Sequence, residues 1–215
     1  MKKIVCAVVL TFFAACIVCG QRKEIYTHPR FDSIAKDHFL LAILPFDVTI
    51  NLRPAQKKKL KEGELENLER TEGDSVQSAI QTYFLNQKTK KEFKVNFQDI
   101  STTNALLAKN NWTVDSFKVK TREEICQYLG VDGIISGTLL TDKPISEEVY
   151  LILSGWIPVK TNSGICTINV HEGEAGELLW KYEKKLSRGL GSGINSVIEA
   201  MMRKASRKFP YEDIK

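Results

Sequence analysis

The stretch Thr121-Arg122-Glu123-Glu124-Ile125-Cys126-Gln127-Tyr128-Leu129-Gly130-Val131-Asp132-Gly133-Ile134-Ile135-Ser136-Gly137-Thr138-Leu139-Leu140 decides the architecture. Thr121 followed three residues later by Glu124 is a capping box, which satisfies two otherwise orphaned N–H donors at a helix start. Ile125, Tyr128 and Leu129 then share one helical face, and Gly130 supplies the stop. From Val131 onward the run is too apolar for a half-exposed segment and reads as a central strand. Its glycines fall where another backbone can approach closely. A helix that turns directly into a buried strand is an α/β unit.

Working outward, the run from Phe39 to Val48 reads as a second central strand, because Pro45 forbids a helix interior; the proline marks its end. Residues 51–74 are highly charged and punctuated by Pro54, Gly63 and Gly73, which predicts an exposed excursion with a short helix. Ser75 is a good N-cap for a helix carrying Val76, Ala79, Ile80, Tyr83 and Phe84 on one stripe. Phe93, Val95 and Phe97 alternate with polar residues as a strand with one buried face should. Ser101 is placed to cap a short helix with Ala105, Leu106 and Leu107. Ile165, Ile168 and Val170, then Leu178, Leu179, Trp180 and Tyr182, flank a turn-rich Glu172-Gly173-Glu174-Ala175-Gly176 and predict a hairpin. Ser192 or Gly193 opens a last helix striped by Ile194, Val197, Ile198, Met201 and Met202, ended by Pro210. The sum is an α/β fold: a single domain over 38–211 with a mixed sheet of about five strands and helices packed against it. At 215 residues the chain is long enough for one substantial core and short for two.

The first twenty residues follow the layout of a secretory signal: Lys2 and Lys3, an apolar stretch from Ile4 to Phe13, then small residues. The apolar run is too short for a typical spanning helix, which takes about 20 residues. Two processing routes are open. Phe13-Ala14-Ala15-Cys16 resembles a lipobox, which would acylate Cys16 and remove residues 1–15. Val18-Cys19-Gly20 instead suits ordinary cleavage, which would leave Gln21 first. Residues 21–37 read as a tether or an edge segment before the fold. Export places the chain in the periplasm or on the periplasmic face of the outer membrane, where a disulfide is permitted. Cys126 and Cys166 read instead as small core hydrophobes.

The formal net charge is +5, from 31 basic and 26 acidic residues. Lys57, Lys58, Lys59 and Lys61 are followed at once by Glu62, Glu64, Glu66 and Glu69, which reads as a solvated face and not as a nucleic-acid footprint. Catalytic signals are sparse. His28, His38 and His171 stand apart in sequence, and His171, bordering a turn, reads as a surface histidine. No His-Glu-x-x-His, Cys-x-x-Cys or acidic calcium loop is present, so no metal or other cofactor is expected. Glu123 with Glu124, and Glu147 with Glu148, would diverge on helices, which favours solvation over acid–base work.

Two motifs carry a sharper reading. Gly189-Leu190-Gly191-Ser192-Gly193 places Gly189, Gly191, Ser192 and Gly193 between a strand and a helix, where backbone N–H groups can cradle an anion. It lacks the ending of a P-loop, and a turn with an N-cap is the plainer reading. Val149 to Val159 is nearly unbroken in apolar character: either a core element or an exposed patch, with Tyr150 and Trp156 as anchors for a partner or a membrane surface.

Leu41-Ala42-Ile43-Leu44-Pro45-Phe46 and Leu129-Gly130-Val131-Asp132-Gly133-Ile134-Ile135-Ser136-Gly137-Thr138 resemble segments of envelope lipoproteins. These include the curli-secretion pore subunit, the outer-membrane activators of penicillin-binding proteins and the N-terminal domain of the Tol translocation protein. Thr103 to Leu107, Leu179 to Tyr182 and Ala205 to Tyr211 are similar to a group of uncharacterised small secreted proteins and lipoproteins of Gram-negative bacteria. The resemblance implies a compact mixed α/β domain that acts by protein contact in the envelope. Residues and resemblance together predict a non-catalytic, periplasm-facing interaction or assembly module with an envelope protein as partner, acylated at Cys16 or soluble. The alternative is a small-molecule binder or hydrolytic enzyme using the glycine turn at 189–193 and His171.

Overall fold

The computed structural model describes residues 25–88, 93–142, 162–188, Arg203 and 209–211. The signal segment with Cys16, the stretch holding Tyr150 and Trp156, the glycine turn and the last helix lie outside the described residues. The described strands are β1 (Ile25–Thr27), β2 (Leu40–Ile43), β3 (Asp47–Ile50), β4 (Asn96–Phe97), β5 (Gly133–Thr141), β6 (Asn162–Glu172) and β7 (Leu178–Arg188). They form one mixed sheet in the order β1-β7-β6-β5-β2-β4, with β3 also paired to β5. The described helices are α1 (Phe31–Ile34), α2 (Pro54–Lys57), α3 (Glu64–Lys88), α4 (Ile100–Lys109), α5 (Ser116–Val119) and α6 (Arg122–Leu129).

The α/β unit forms as its residues dictate. Thr121 Oγ1 accepts the Glu124 N–H and the Glu124 carboxylate accepts the Thr121 N–H, closing the box on α6. Gly130 ends the helix in the left-handed conformation at φ 67°. β5 then runs through the middle of the sheet, parallel to β2 and β3 and antiparallel to β6.

β2 ends at Ile43, just before Pro45, and the chain resumes as β3 at Asp47 on the same partner β5 after a bulge. Ile43 lies opposite Ile135 and Asp47 opposite Thr138, so four steps on one strand match three on the other. A proline has no ladder donor and is tolerated at such a bulge. This division of one expected strand into β2 and β3, with the short edge strand β1, accounts for seven strands where the pattern showed five. β1 and the buried Phe31 also bring residues 25–37 into the fold, as an edge segment on β7.

One sheet face takes α3 through Val76, Ala79, Ile80, Tyr83 and Phe84, along with Trp180 and Tyr182 of β7 and the C-terminal Phe209 and Tyr211. Phe84 is fully buried, which by area alone is worth about 2–3 kcal/mol. The other face packs Ala42, Leu44 and Ile134 against Leu107, Phe117, Ile125, Cys126 and Leu129. Cys126 and Cys166 belong to the two opposite cores, and both are free and buried.

Three boundaries differ from the sequence reading. Residues 64–74 are not part of an exposed excursion, because α3 begins at Glu64 and buries Leu68, Glu72 and Gly73. Ser75 is therefore inside the helix, its hydroxyl donating back to the Thr71 carbonyl at 2.9 Å. Gly73 is a contact point and not a stop: a Cβ there would lie 2.3 Å from the Phe46 carbonyl oxygen. In α4 the cap is Asp99, whose carboxylate accepts the Ser101 N–H at 2.8 Å. An ionised cap also suits the positive end of the helix dipole better than a hydroxyl. That helix buries Thr103 and Leu107.

Candidate functional site

The sheet has two chemically different ends. At the turn end β5 begins, and the loop at 173–177 joins β6 to β7. Asp132, one residue before β5, accepts the backbone N–H groups of Phe39 and Leu40, each at 2.8 Å on the same carboxylate oxygen. It thereby holds the start of β2 against the start of β5. Glu172, at the end of β6, is buried and accepts the N–H groups of Glu174, Ala175 and Glu177 at 2.6, 2.7 and 2.9 Å. Burial pushes its pKa up, but these three donors outweigh that and leave the carboxyl below its usual range.

The imidazole of His38 meets the Tyr211 hydroxyl at 2.7 Å through Nδ1. Burial lowers the His38 pKa against the opposing pull of Asp132, Glu172, Glu174 and Asp37. This favours the neutral ring beside the phenol. Burial, then the Asp132 and Glu172 charges, raises the Tyr211 pKa and keeps the phenol protonated.

His171 is not the surface histidine its turn suggested. It is half-buried beside a register shift in the β6–β7 ladder, and its Nδ1 is buried with no hydrogen-bond partner. Burial first, and Arg122 second, depress its pKa to about 4. Burial first, then the Glu172 and Asp132 carboxylates, push the Cys126 thiol up to about 12. Chemically, this cluster keeps its thiol and phenol protonated, its imidazoles neutral and its two central carboxylates bound to backbone N–H groups. Such a set braces strand starts and a turn. Among the described residues no group of three His, Cys, Asp or Glu could hold a metal ion.

Of the residues singled out in the sequence as a site, His171 is the one among the described residues, and it belongs to this cluster. Thr141 pairs with Gly164, and Asn162 with Arg188, at the opposite end of the sheet. The chain segments holding Tyr150 with Trp156, and Gly189, Gly191, Ser192 and Gly193, therefore both leave the described residues at that end. His171 and Arg188, the residue before the glycine turn, lie at opposite ends of the hairpin, so the structure does not bring the turn's flank and the histidine together. Sequence reading missed Asp132 and Glu172. The available signal was an acidic residue bordering an apolar strand run, a position that calls for a committed partner.

No family model matches the chain, and no curated protein matches it. Among solved structures, the chain is similar to lipoprotein GNA1162 from Neisseria meningitidis, with TM-score 0.45 and 10% identity over 79% of this chain and 99% of that one. It is also similar to the LpoB C-terminal domain from Escherichia coli, with TM-score 0.41 and 9% identity over 74% and 95%. The hypothetical protein CT253 from Chlamydia trachomatis matches with TM-score 0.38 and 12% identity over 80% and 97%. At these scores and identities the likenesses carry no argument about activity or partner.

Proposed function

We propose that this chain is an exported, non-catalytic protein of the Gram-negative cell envelope that works as a periplasm-facing interaction or assembly module. The observation that carries the reading is the start of the chain: two lysines, an apolar stretch and small residues, followed within a few residues by a folded domain. The commitment of Asp132 and Glu172 to backbone N–H groups at the turn end suits a bracing role for both carboxylates. In this reading the mature chain begins either at an acylated Cys16 or at Gln21, and Tyr150 and Trp156 are the apolar anchors for an envelope protein partner.

Mass spectrometry of the mature N-terminus, combined with cross-linking in intact envelopes, tests it. A mature chain starting at an acylated Cys16 or at Gln21, cross-linked to a defined envelope protein and released from it by Trp156→Ser without loss of folding, is the expected result. An intact Met1 terminus in the cytosol would overturn the reading. So would turnover of a substrate by the purified chain.

A further inference from the structure

Helix α6 is clamped on the β6–β7 turn by close approach at two glycines. A Cβ on Gly173 would lie 2.9 Å from the Cys126 Cβ and 3.0 Å from the Asp132 carbonyl oxygen, and one on Gly176 would lie 3.4 Å from the Arg122 Cβ. The Gly173 N–H also donates to the Asp132 carbonyl at 2.8 Å. His171 stands on the same side of the sheet. It is opposed to Ile134 of β5, and opposed residues share a sheet face, so its ring lies on the side where Ile134 packs with Ile125, Cys126 and Leu129.

This ring has no provision for a second proton. Its Nδ1 is buried and meets no hydrogen-bond partner. Burial first, then Arg122 of α6, depress its pKa against the pull of Glu172. Glu172 is already engaged by the N–H groups of Glu174, Ala175 and Glu177. The other ionisable groups of this end are committed or turned to water. Asp132 holds the N–H groups of Phe39 and Leu40, Glu177 pairs with Arg30, and His38 meets Tyr211. Cys126 keeps its proton, and Glu123 on α6 and Glu174 in the turn are exposed. On β7, Lys181 stands opposite Asn169 and pairs with Glu183 at 3.9 Å. A proton added to His171 therefore creates a buried donor without an acceptor, near a guanidinium. That cost is relieved when the ring reaches water.

We propose that protonation of His171 opens α6 from the β6–β7 turn, exposing Ile125, Cys126 and Leu129 while the core on the other sheet face stays closed. The helix is only eight residues long, and local opening of such an element costs less than global unfolding. In the closed state the ring resists protonation down to about pH 4, whereas in the open state it takes a proton from about pH 6.5. The open population therefore rises as pH falls through that window. The device does not depend on where the protein resides.

The two free cysteines report the two faces separately, because Cys126 belongs to the core under α6 and Cys166 to the core under α3. The purified protein is labelled with 4,4′-dithiodipyridine at pH 7.5 and at pH 5, and the rate at each cysteine is read by peptide mass spectrometry. Dividing by the rate in the urea-unfolded chain at the same pH removes the thiol's own titration. Protection of Cys126 should fall roughly tenfold between the two pH values, after allowing for partial exposure of the ring. Protection of Cys166 should change by less than about twofold. His171→Gln should keep Cys126 protected at both pH values, whereas His38→Gln, which removes the other half-buried imidazole of this end, should leave the fall in place. Hydrogen exchange of the unsubstituted protein provides a second reading: residues 122–129 should open more at pH 5, after correction for intrinsic rates, and residues 76–84 should not. Unchanged protection of Cys126, loss of protection at Cys126 and Cys166 together, or a fall that survives His171→Gln would each overturn the proposal.

Discussion

The carbonyl oxygen of Phe46 occupies the place where a side chain on Gly73 would stand, 2.3 Å from the Cβ position, and the Phe46 N–H points back to the Gly73 carbonyl at 3.5 Å. Phe46 also lays its ring on Gly137 of β5, where an added Cβ would come within 2.2 Å of the ring edge. The bulge at Pro45 thus seats one aromatic residue between a helix and a strand that each give up a side chain to receive it.

Gly73→Ala should destabilise the protein by about 2–4 kcal/mol in urea unfolding, through overpacking against backbone that cannot yield. Helix propensity alone predicts the opposite sign, a gain of about 1 kcal/mol for alanine in a helix interior. A stabilised Gly73→Ala variant would show that α3 does not seat on the bulge.

The C-terminal Phe209 and Tyr211 close the aromatic core. Phe209 lies 4.9 Å from Phe84 and 5.5 Å from Trp180, and Tyr211 lies 4.9 Å from Phe31, measured between ring centroids. Phe209→Ala should cost about 3–5 kcal/mol. Tyr211→Phe, which keeps the ring and removes only the bond to His38, should cost about 1 kcal/mol. Thermal melts of the two variants would separate packing from hydrogen bonding; equal losses would contradict the assignment.

Two groups at the turn end make stability fall in acid. The folded-state pKa of His171 is depressed to about 4, so the unfolded chain takes up its proton first, from about pH 6.5. Its contribution is lost as pH falls from there toward 4, on the order of 2 kcal/mol after allowing for partial exposure. Glu172, also depressed, loses its contribution at lower pH, as it protonates in the folded state. His171→Leu should therefore raise stability more at pH 5 than at pH 7.5, and Glu172→Gln should flatten the more acidic limb. Denaturation curves at several pH values would show both, and a pH-independent His171→Leu effect would contradict the burial of its ring.

Cys126 and Cys166 are both pushed up to about 12, in each case first of all by burial. Neither should react with a thiol reagent at pH 8 in the native protein, and both should react once it is unfolded. Peptide mass spectrometry after timed labelling gives the two rates. Rapid native labelling of Cys126 would contradict its burial.

Local chemistry was readable where one short stretch contains both the signal and its partner. The Thr121–Glu124 box, the Gly130 stop and the hairpin around 173–176 all involve groups a few residues apart, whereas the strand expected over Phe93, Val95 and Phe97 shrinks to Asn96–Phe97. The errors lie where a residue's partner is distant in the chain. Gly73 looked like punctuation because its reason for lacking a side chain is Phe46, and β3 went unread as a separate strand because its resumption past Pro45 depends on pairing with β5. Ser75 and Ser101 had the chemistry of caps, but the helices begin upstream of both. His171 looked exposed because the turn beside it is polar, whereas its Nδ1 is buried in the folded chain.

The amino-acid sequence by itself determined the alternation of helix and strand, the buried central strand and the leader-like start, because hydrophobic period, capping pairs and glycine conformations act over short distances. Only the tertiary structure decided that Asp132 holds the start of β2 beside the start of β5 and that Phe46 seats between Gly73 and Gly137. Such pairings depend on strand direction and register, which are set by contacts between segments far apart in the chain.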